Sequence, residues 1–583
     1  MGDILYSFNN MRRNLSIYLK WISIFSLVQI AILLPLFSYF FFLILHLAGV
    51  QSLNDTNLFD IFGMPVILSL LIVLVLAFLF IFYYEIGIFI LLAHNIQNQI
   101  PFTLKSILKT LTKKARYMLS LQVFYFLIYF FLLMPIAGLI LPATLTENLY
   151  LPHFIIDELM KSWQGAALYI GVFLLVFYLS MRLLYALPFF IIEKELTIFQ
   201  AIKKSFSVPH KILLQLLVEA AVSLLVSSLI FSAVLFLLGW SVDLLDRTSF
   251  QFVPFFAGVI LTCMQVFAFI YTCFIQGYLT QLLIAKLTIQ KIPIKTKNNW
   301  TLPYKKSFIT LLVITFIVLS YFNINSIYQT LYTPNTLIIA HRGDTKNAIE
   351  NTLPAFKNAA KNGADYAELD VLETKDHQFV VFHDSTLRRL AGRNDRIQDL
   401  TADQLTKIEL RSGNYRAHIP TLEETIALAK SENLRLLIEI KKHGGESADM
   451  EERFVRLLQK EKVTKDYLVQ SLYQDVNKRI KELDPTIKTG MVTALNIGNL
   501  PKTEDDFIVL EDFSVTNRIL FQANQANKDV FIWTVNQESL MRHYLQKNVD
   551  GLITNYPKRA SKLRQTINKD TSLRERIENQ ILD

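Results

Sequence analysis

The first 325 residues alternate long apolar runs with short polar loops. Seven runs stand out, near 21–48, 64–94, 117–142, 165–191, 212–240, 253–285 and 307–325. A hydrocarbon core of about 30 Å takes roughly 20 apolar residues as a helix, so each run predicts a membrane span. Several exceed that length and are expected to tilt or kink, with Pro35, Pro135 and Pro188 as the kink positions. The first run is longer than a signal-peptide core and has no small-x-small cleavage pattern, so it reads as a retained span. The segment 101–116, PFTLKSILKTLTKKAR, alternates apolar and basic residues at helical spacing and predicts a helix on the membrane surface.

Near residue 325 the pattern changes. Short apolar runs at 337–341, 366–370, 436–440, 467–471, 489–493, 507–511, 530–534 and 551–555 alternate with helical segments such as 352–363, 421–433 and 450–462. Strand–helix alternation predicts a parallel sheet. Eight such units fit a closed (β/α)8 TIM barrel, typically about 250 residues long. No Gly-x-Gly-x-x-Gly follows the first strand, which argues against a dinucleotide site. The run 379–383, FVVFH, follows the second strand too closely for a crossover helix and reads as a hairpin turning at 375–378. A simple register sets His383 opposite Asp370. The expected organisation is a membrane domain over 1–325, a short tether over 326–335, a barrel over 336–560 and a charged helical tail over 561–583.

Composition supports this division. Of 583 residues, 52% are hydrophobic and 18% charged, which excludes a disordered chain, a coiled coil and a protein soluble throughout. The net charge of +9 does not call for nucleic acid, because many cations sit in loops between spans. Arg12, Arg13 and Lys20 precede the first span; Lys105, Lys109, Lys113, Lys114 and Arg116 follow the second. Lys194, Lys203, Lys204 and Lys211 follow the fourth, and six lysines from Lys286 to Lys306 follow the sixth. The intervening loops hold only Lys161 and Arg247. This bias predicts a cytoplasmic N-terminus and, after seven spans, a barrel outside the cytoplasm in a multi-pass cell-membrane protein. Cys263 and Cys273 both lie in an apolar run, so no disulfide framework is expected, and a barrel without cysteine suits an oxidising exterior. Within the spans, Glu85, Arg182 and Glu219 are read as interhelical partners or snorkelling groups in preference to a headgroup path.

Polar residues gather at the C-terminal ends of the strands, where barrels of this kind carry their active sites. His341 and Arg342 end the first strand; Glu368 and Asp370 end the second; His383 returns on the hairpin; Glu439 and Lys441 end the next strand, and Trp533 the seventh. Glu368 and Asp370 are two apart and share a face, as do Glu439 and Lys441. Three carboxylates, Glu368, Asp370 and Glu439, predict a hard oxygen site for Ca²⁺ or Mg²⁺. Arg342 and Lys441 suit phosphate oxygens, and His341 with His383 provides an acid and a base. Together they describe phosphodiester cleavage.

These residues carry a resemblance. HRGDTKNAIENTLPAF resembles the opening motif of glycerophosphodiester phosphodiesterases, and ELDV, VVFHDSTLRR, IPTLEE, IEIK, QS, WTV and DGLITN follow in that family's order over about 336–560. The apolar half is similar to the multi-span domain found fused to such enzymes. The resemblance implies that His341 and His383 are the acid/base pair, that Glu368, Asp370 and Glu439 hold the metal, and that Arg342 and Lys441 contact phosphate. It implies that Glu350 orients Arg342 or the metal site and that Trp533 is an aromatic wall for glycerol. It further implies attack by the glycerol 2-hydroxyl on phosphorus, a cyclic phosphate, and ring opening by water. Two positions depart from the family pattern: Ile349 replaces a usual proline, and Asn555 replaces a usual aspartate.

The expected function is metal-dependent hydrolysis of glycerophosphodiesters to an alcohol and glycerol 3-phosphate, at the lipid bilayer and outside the cytoplasm. Headgroup diesters from deacylated phospholipid, a polyglycerophosphate polymer and a lysophospholipid cleaved as by lysophospholipase D all remain open as substrates. A non-catalytic ligand-binding receptor or transporter is the alternative. No nucleic-acid partner is expected, and protein partners are not specified.

Overall fold

The computed structural model describes residues 2–120, 122–140, 153–246, 252–287, 305–329, 334–547 and 549–569. Among them, six helices are long and apolar enough to cross a membrane: Gly2–Leu47, Pro65–Gln97, Trp163–Ile192, His210–Asp246, Val253–Ala285 and Ile309–Ile327. The expected run near 117–142 forms the helix Val123–Ile140, whose 18 residues rise about 27 Å. Its described apolar stretch, Val123–Leu132, is shorter than the other six. Two prolines leave local marks. A π-helical turn at Gln29–Leu33 precedes Pro35, which has no N–H to continue the ladder. The helix Trp163–Leu183 breaks before Pro188, which sits in the first turn of Ala186–Ile192.

The intramembrane charges meet partners on other segments of the membrane half. Glu85 accepts from Gln29 at 3.3 Å. Arg182 donates to the Val208 carbonyl at 2.9 Å. Lys286 bridges Glu219 and Asp3, each at 2.8 Å, and so ties three helices together. The surface helix of segment 101–116 is Leu104–Ala115, started by a Thr103/Ser106 capping box. Its apolar face packs on protein: Ile107 and Leu111 are buried, Tyr83 donates to the Leu111 carbonyl, and Lys114 reaches the Leu196 carbonyl. Lys105, Lys109 and Lys113 stay exposed.

Eight parallel strands close the barrel: β1 Leu337–Ala340, β2 Tyr366–Glu373, β3 Arg435–Ile440, β4 Leu468–Ser471, β5 Lys488–Thr493, β6 Phe507–Glu511, β7 Asp529–Trp533 and β8 Gly551–Thr554. Each pairs with its sequence neighbours, and β8 and β2 both flank β1. The interior is filled by Ile339, Leu437, Val509 and Ile553 with the rings of Phe507 and Phe531, 4.8 Å apart. Gly490 stands where a Cβ would lie 1.9 Å from the Phe507 ring, so the bulky ring dictates the glycine.

The hairpin after β2 is present, with its register one residue from the expected one. Phe379–Val381 pairs antiparallel with Val371–Glu373, Val371 facing Val381. Phe382, not His383, lies opposite Asp370 and donates to its carbonyl at 3.0 Å. The turn closes from Thr374 to Gln378 with His377 left-handed at φ 59°, one residue shorter than expected.

The two halves are docked as well as tethered. The last span's helix runs from Lys305 to Gln329, four residues into the expected tether; 330–333, like the tail beyond 569, lies outside the described residues. Ser52–Asn54, in the loop after the first span, pairs antiparallel with Asn496–Gly498 of the barrel. Asp55 accepts from the Ala494 amide at 3.1 Å, and Arg518 lies 4.0 Å over the Phe42 ring. Gly498 has φ 133°, and a Cβ there would meet the backbone of Gln51 and Ser52 at 3.0 Å.

Candidate active site

The C-terminal ends of the strands open into a cleft of about 610 Å³. The structure brings every site residue expected from the sequence, His341, Arg342, Glu350, Glu368, Asp370, His383, Glu439, Lys441 and Trp533, to its lining.

The three carboxylates converge. Each of Glu368, Asp370 and Glu439 offers an oxygen within 4.8 Å of the others, and all three are buried. Burial pushes the Glu368 carboxyl well above its usual range, and the neighbouring Asp370 and Glu439 charges push it further. Asp370 goes the other way: burial would raise it, but Lys441 and Arg342 outweigh burial and hold it below the usual range. A buried trio of acids that cannot all ionise comfortably is the donor set of a hard divalent cation, whose charge would favour their ionised forms. These residues therefore fit a metal of the Ca²⁺ or Mg²⁺ class.

Each acid is also oriented. Glu368 accepts from the Arg342 amide at 2.8 Å, and Asp370 from the Asn351 side chain at 2.7 Å. Glu439 accepts from Gln470 at 2.9 Å. Lys441 stands 2.9 Å from Glu439 and 3.2 Å from Asp370. Arg342 reaches Asp370 at 3.2 Å and Glu350 at 3.0 Å. Arg342 and Asn351 take left-handed backbone, φ 54° and 57°, and are joined by a 3.0 Å bond from the Asn351 amide to the Arg342 carbonyl. That loop points the Arg342 amide at the Glu368 carboxylate.

The two histidines have different partners. His341 Nδ1 lies 2.8 Å from Asn555 Oδ1; an amide oxygen only accepts, so Nδ1 carries the proton and Nε2 keeps its lone pair. Burial, Arg342 and Lys161 lower the His341 pKa to about 3, against the opposing effects of Asn555 and Asp370. His341 is thus neutral at neutral pH. His383 Nδ1 donates instead to the Asp384 carboxylate at 2.8 Å. Arg389 clamps Asp384 at 2.7 Å and Glu350 at 2.6 Å, which links the second histidine to the Arg342 side chain. Burial would raise the Glu350 carboxyl, but Arg342 and Arg389 hold it at about 2.

Sequence reasoning missed Asp384, Arg389, Asn351 and Gln470 as supports. The first two lie inside the motif VVFHDSTLRR, and Gln470 opens the QS pair. In sequence Asn351 and Thr352 are alternative caps of the first barrel helix; Thr352 takes that position, and Asn351 turns to Asp370.

Comparison with known proteins decides the family. Residues 4–325 match the family described as the membrane domain of glycerophosphoryl diester phosphodiesterase, and residues 341–559 match the glycerophosphoryl diester phosphodiesterase family. The chain belongs to the glycerophosphodiester phosphodiesterase family. A Bacillus subtilis protein whose name assigns it provisionally to the same activity is 32% identical over 231 residues, 38% of this chain and 94% of that one. A glycerophosphodiester phosphodiesterase of Caldanaerobacter subterraneus is 30% identical over 230 residues, covering 38% of this chain and 95% of the other. Among solved structures, a phosphodiesterase from Oleispira antarctica in complex with the product sn-glycerol-3-phosphate is 22% identical over 39% of this chain and 96% of that one, with a TM-score of 0.35. This chain is a multi-span membrane member of the glycerophosphodiester phosphodiesterase family and an enzyme. The receptor reading falls with that membership.

Proposed function

We propose that this glycerophosphodiester phosphodiesterase acts outside the cytoplasm, with a divalent metal held by Glu368, Asp370 and Glu439. The observation that carries the reading is the convergence of those three buried acids with two cations and two histidines in one cleft. When bound, the metal would neutralise charge gathering on the phosphoryl oxygens. Arg342 and Lys441 bind the remaining phosphate oxygens. His341, neutral and with Nε2 bare, takes the proton of the glycerol 2-hydroxyl as its oxygen bonds to phosphorus. His383 gives a proton to the departing alcohol as its P–O bond breaks. The cyclic phosphate is then opened by water with the two roles exchanged. Trp533 walls the glycerol.

Orientation rests on two supports. Positive charge is concentrated along the sequence before the first span and after the second, fourth and sixth. Among the described residues, the segments 52–55 and 155–165, which reach the barrel, hold a single cation, Lys161. The barrel contains no cysteine, so a single cysteine placed on its surface can be labelled in intact cells by a membrane-impermeant maleimide; labelling only after lysis would refute the external position. Activity is tested by glycerol 3-phosphate release from glycerophosphocholine and glycerophosphoglycerol. Release by the full chain and none by the His341→Ala/His383→Ala variant is expected; equal release by both would overturn the assignment.

A further inference from the structure

The active-site cleft is not built by the barrel alone. Ile155, Leu159, Lys161, Ser162 and Gly165, all from the membrane domain, form part of its lining. They come from the short helix His153–Met160, the turn after it and the start of the span Trp163–Leu183. The junction is shaped for close packing. Ser162 caps the span by accepting from the Gly165 amide at 3.0 Å, and a Cβ on Gly165 would lie 2.2 Å from the Leu159 carbonyl. Met160 and Trp163, beside Lys161, are 51% and 76% exposed, the composition of a segment seated at the membrane–water boundary.

Charge gives Lys161 a task. Besides the metal acids, the cleft holds Glu350, which makes four carboxylates against Arg342, Lys441 and Lys161. With a divalent ion and a phosphodiester monoanion in place, three cations leave the site neutral and two leave one negative charge uncompensated. The charge of Lys161 is felt by His341 and Glu350 at the centre of the cleft. The same wall presents apolar Ile155 and Leu159, which a headgroup diester without an acyl chain has no group to meet.

Resting on the hydrolytic reading above, we propose that the membrane domain completes the active site: Lys161 binds the substrate phosphate from the membrane side, and Ile155 and Leu159 seat an acyl chain on the glycerol, so that the preferred substrate is a lysophospholipid still held in the bilayer. Its 2-hydroxyl is free, as the reaction requires, and its chain leaves the cleft over the Met160–Trp163 segment into lipid.

The test uses the full chain in nanodiscs and reads choline release from 1-acyl lysophosphatidylcholine and from glycerophosphocholine, which share the leaving group. The parent is expected to show the higher kcat/KM on the lysolipid. Ile155→Ser with Leu159→Ser should cut the lysolipid-to-glycerophosphocholine ratio about tenfold, through KM. Lys161→Ala should lower kcat/KM on both substrates about tenfold, with Lys161→Arg recovering most of it. Lys161 is exposed, so its removal leaves the core intact. If glycerophosphocholine is cleaved but the ratio and Lys161→Ala activity match the parent, the membrane domain is only an anchor and the inference fails while hydrolysis stands. If the parent releases choline from neither substrate, both fail.

Discussion

Buried charge is handled in opposite ways in the two halves of this chain. In the membrane half, Glu85, Arg182 and Glu219 each meet a partner from another segment, and the Asp3–Lys286–Glu219 bridge pins three helices at one end. In the barrel, Glu368, Asp370 and Glu439 crowd within 4.8 Å, and burial together with the neighbouring acids pushes the Glu368 carboxyl upward. Dispersed, partnered charges hold a structure together. Concentrated like charges cost folding energy and persist where a cation or substrate relieves them.

The largest expected effect breaks the concentrated cluster. Glu439→Gln, or His383→Ala beside it, should lower kcat on glycerophosphocholine about 10³-fold with thermal stability little changed or raised. Next is the support around the cluster. Arg389→Ala removes the clamp shared by Asp384 and Glu350, leaving them only His383 and Arg342, and should reduce kcat/KM about 10- to 100-fold; Arg389→Lys should rescue little, since one ammonium cannot grip two carboxylates as the guanidinium does. Asn555→Asp should be milder and of opposite sense. A carboxylate facing His341 Nδ1 raises a pKa now near 3, so the acidic limb of the kcat/KM profile should move to higher pH. The smallest effect on turnover should come from the membrane half: Glu219→Gln loosens the helix bridge and should lower the thermal midpoint of the full chain while kcat stays within about twofold.

Much of the barrel is legible because its signals are local. Apolar runs mark the eight strands to within a few residues, and acids two apart on β2 must share a face. The hairpin register slipped by one because it depends on His377 entering the left-handed region, which nothing in the residue type demands. Asn351 and Arg389 were overlooked for a related reason: each acts across the fold, on Asp370 and Glu350, and the sequence separation of 19 and 39 residues hides the contact. The docking of Ser52–Asn54 on Asn496–Gly498 is less legible still. It joins two short polar segments more than 400 residues apart, with no periodicity to announce either as a strand. The membrane wall of the cleft stayed hidden in the same way, since Lys161 reads as an isolated charge in a loop.

The crowded acids make one measurement decisive. The metal-free full chain would be titrated with Ca²⁺ and with Mg²⁺ by calorimetry in buffers of different ionisation enthalpy, and glycerol 3-phosphate release followed at each step. Binding of about one ion, release of about one proton and recovery of hydrolysis in parallel are expected, with affinity rising with pH because Glu368 must ionise. Full hydrolysis in excess chelator, or ion binding unchanged in Glu439→Gln, would contradict a metal at Glu368, Asp370 and Glu439.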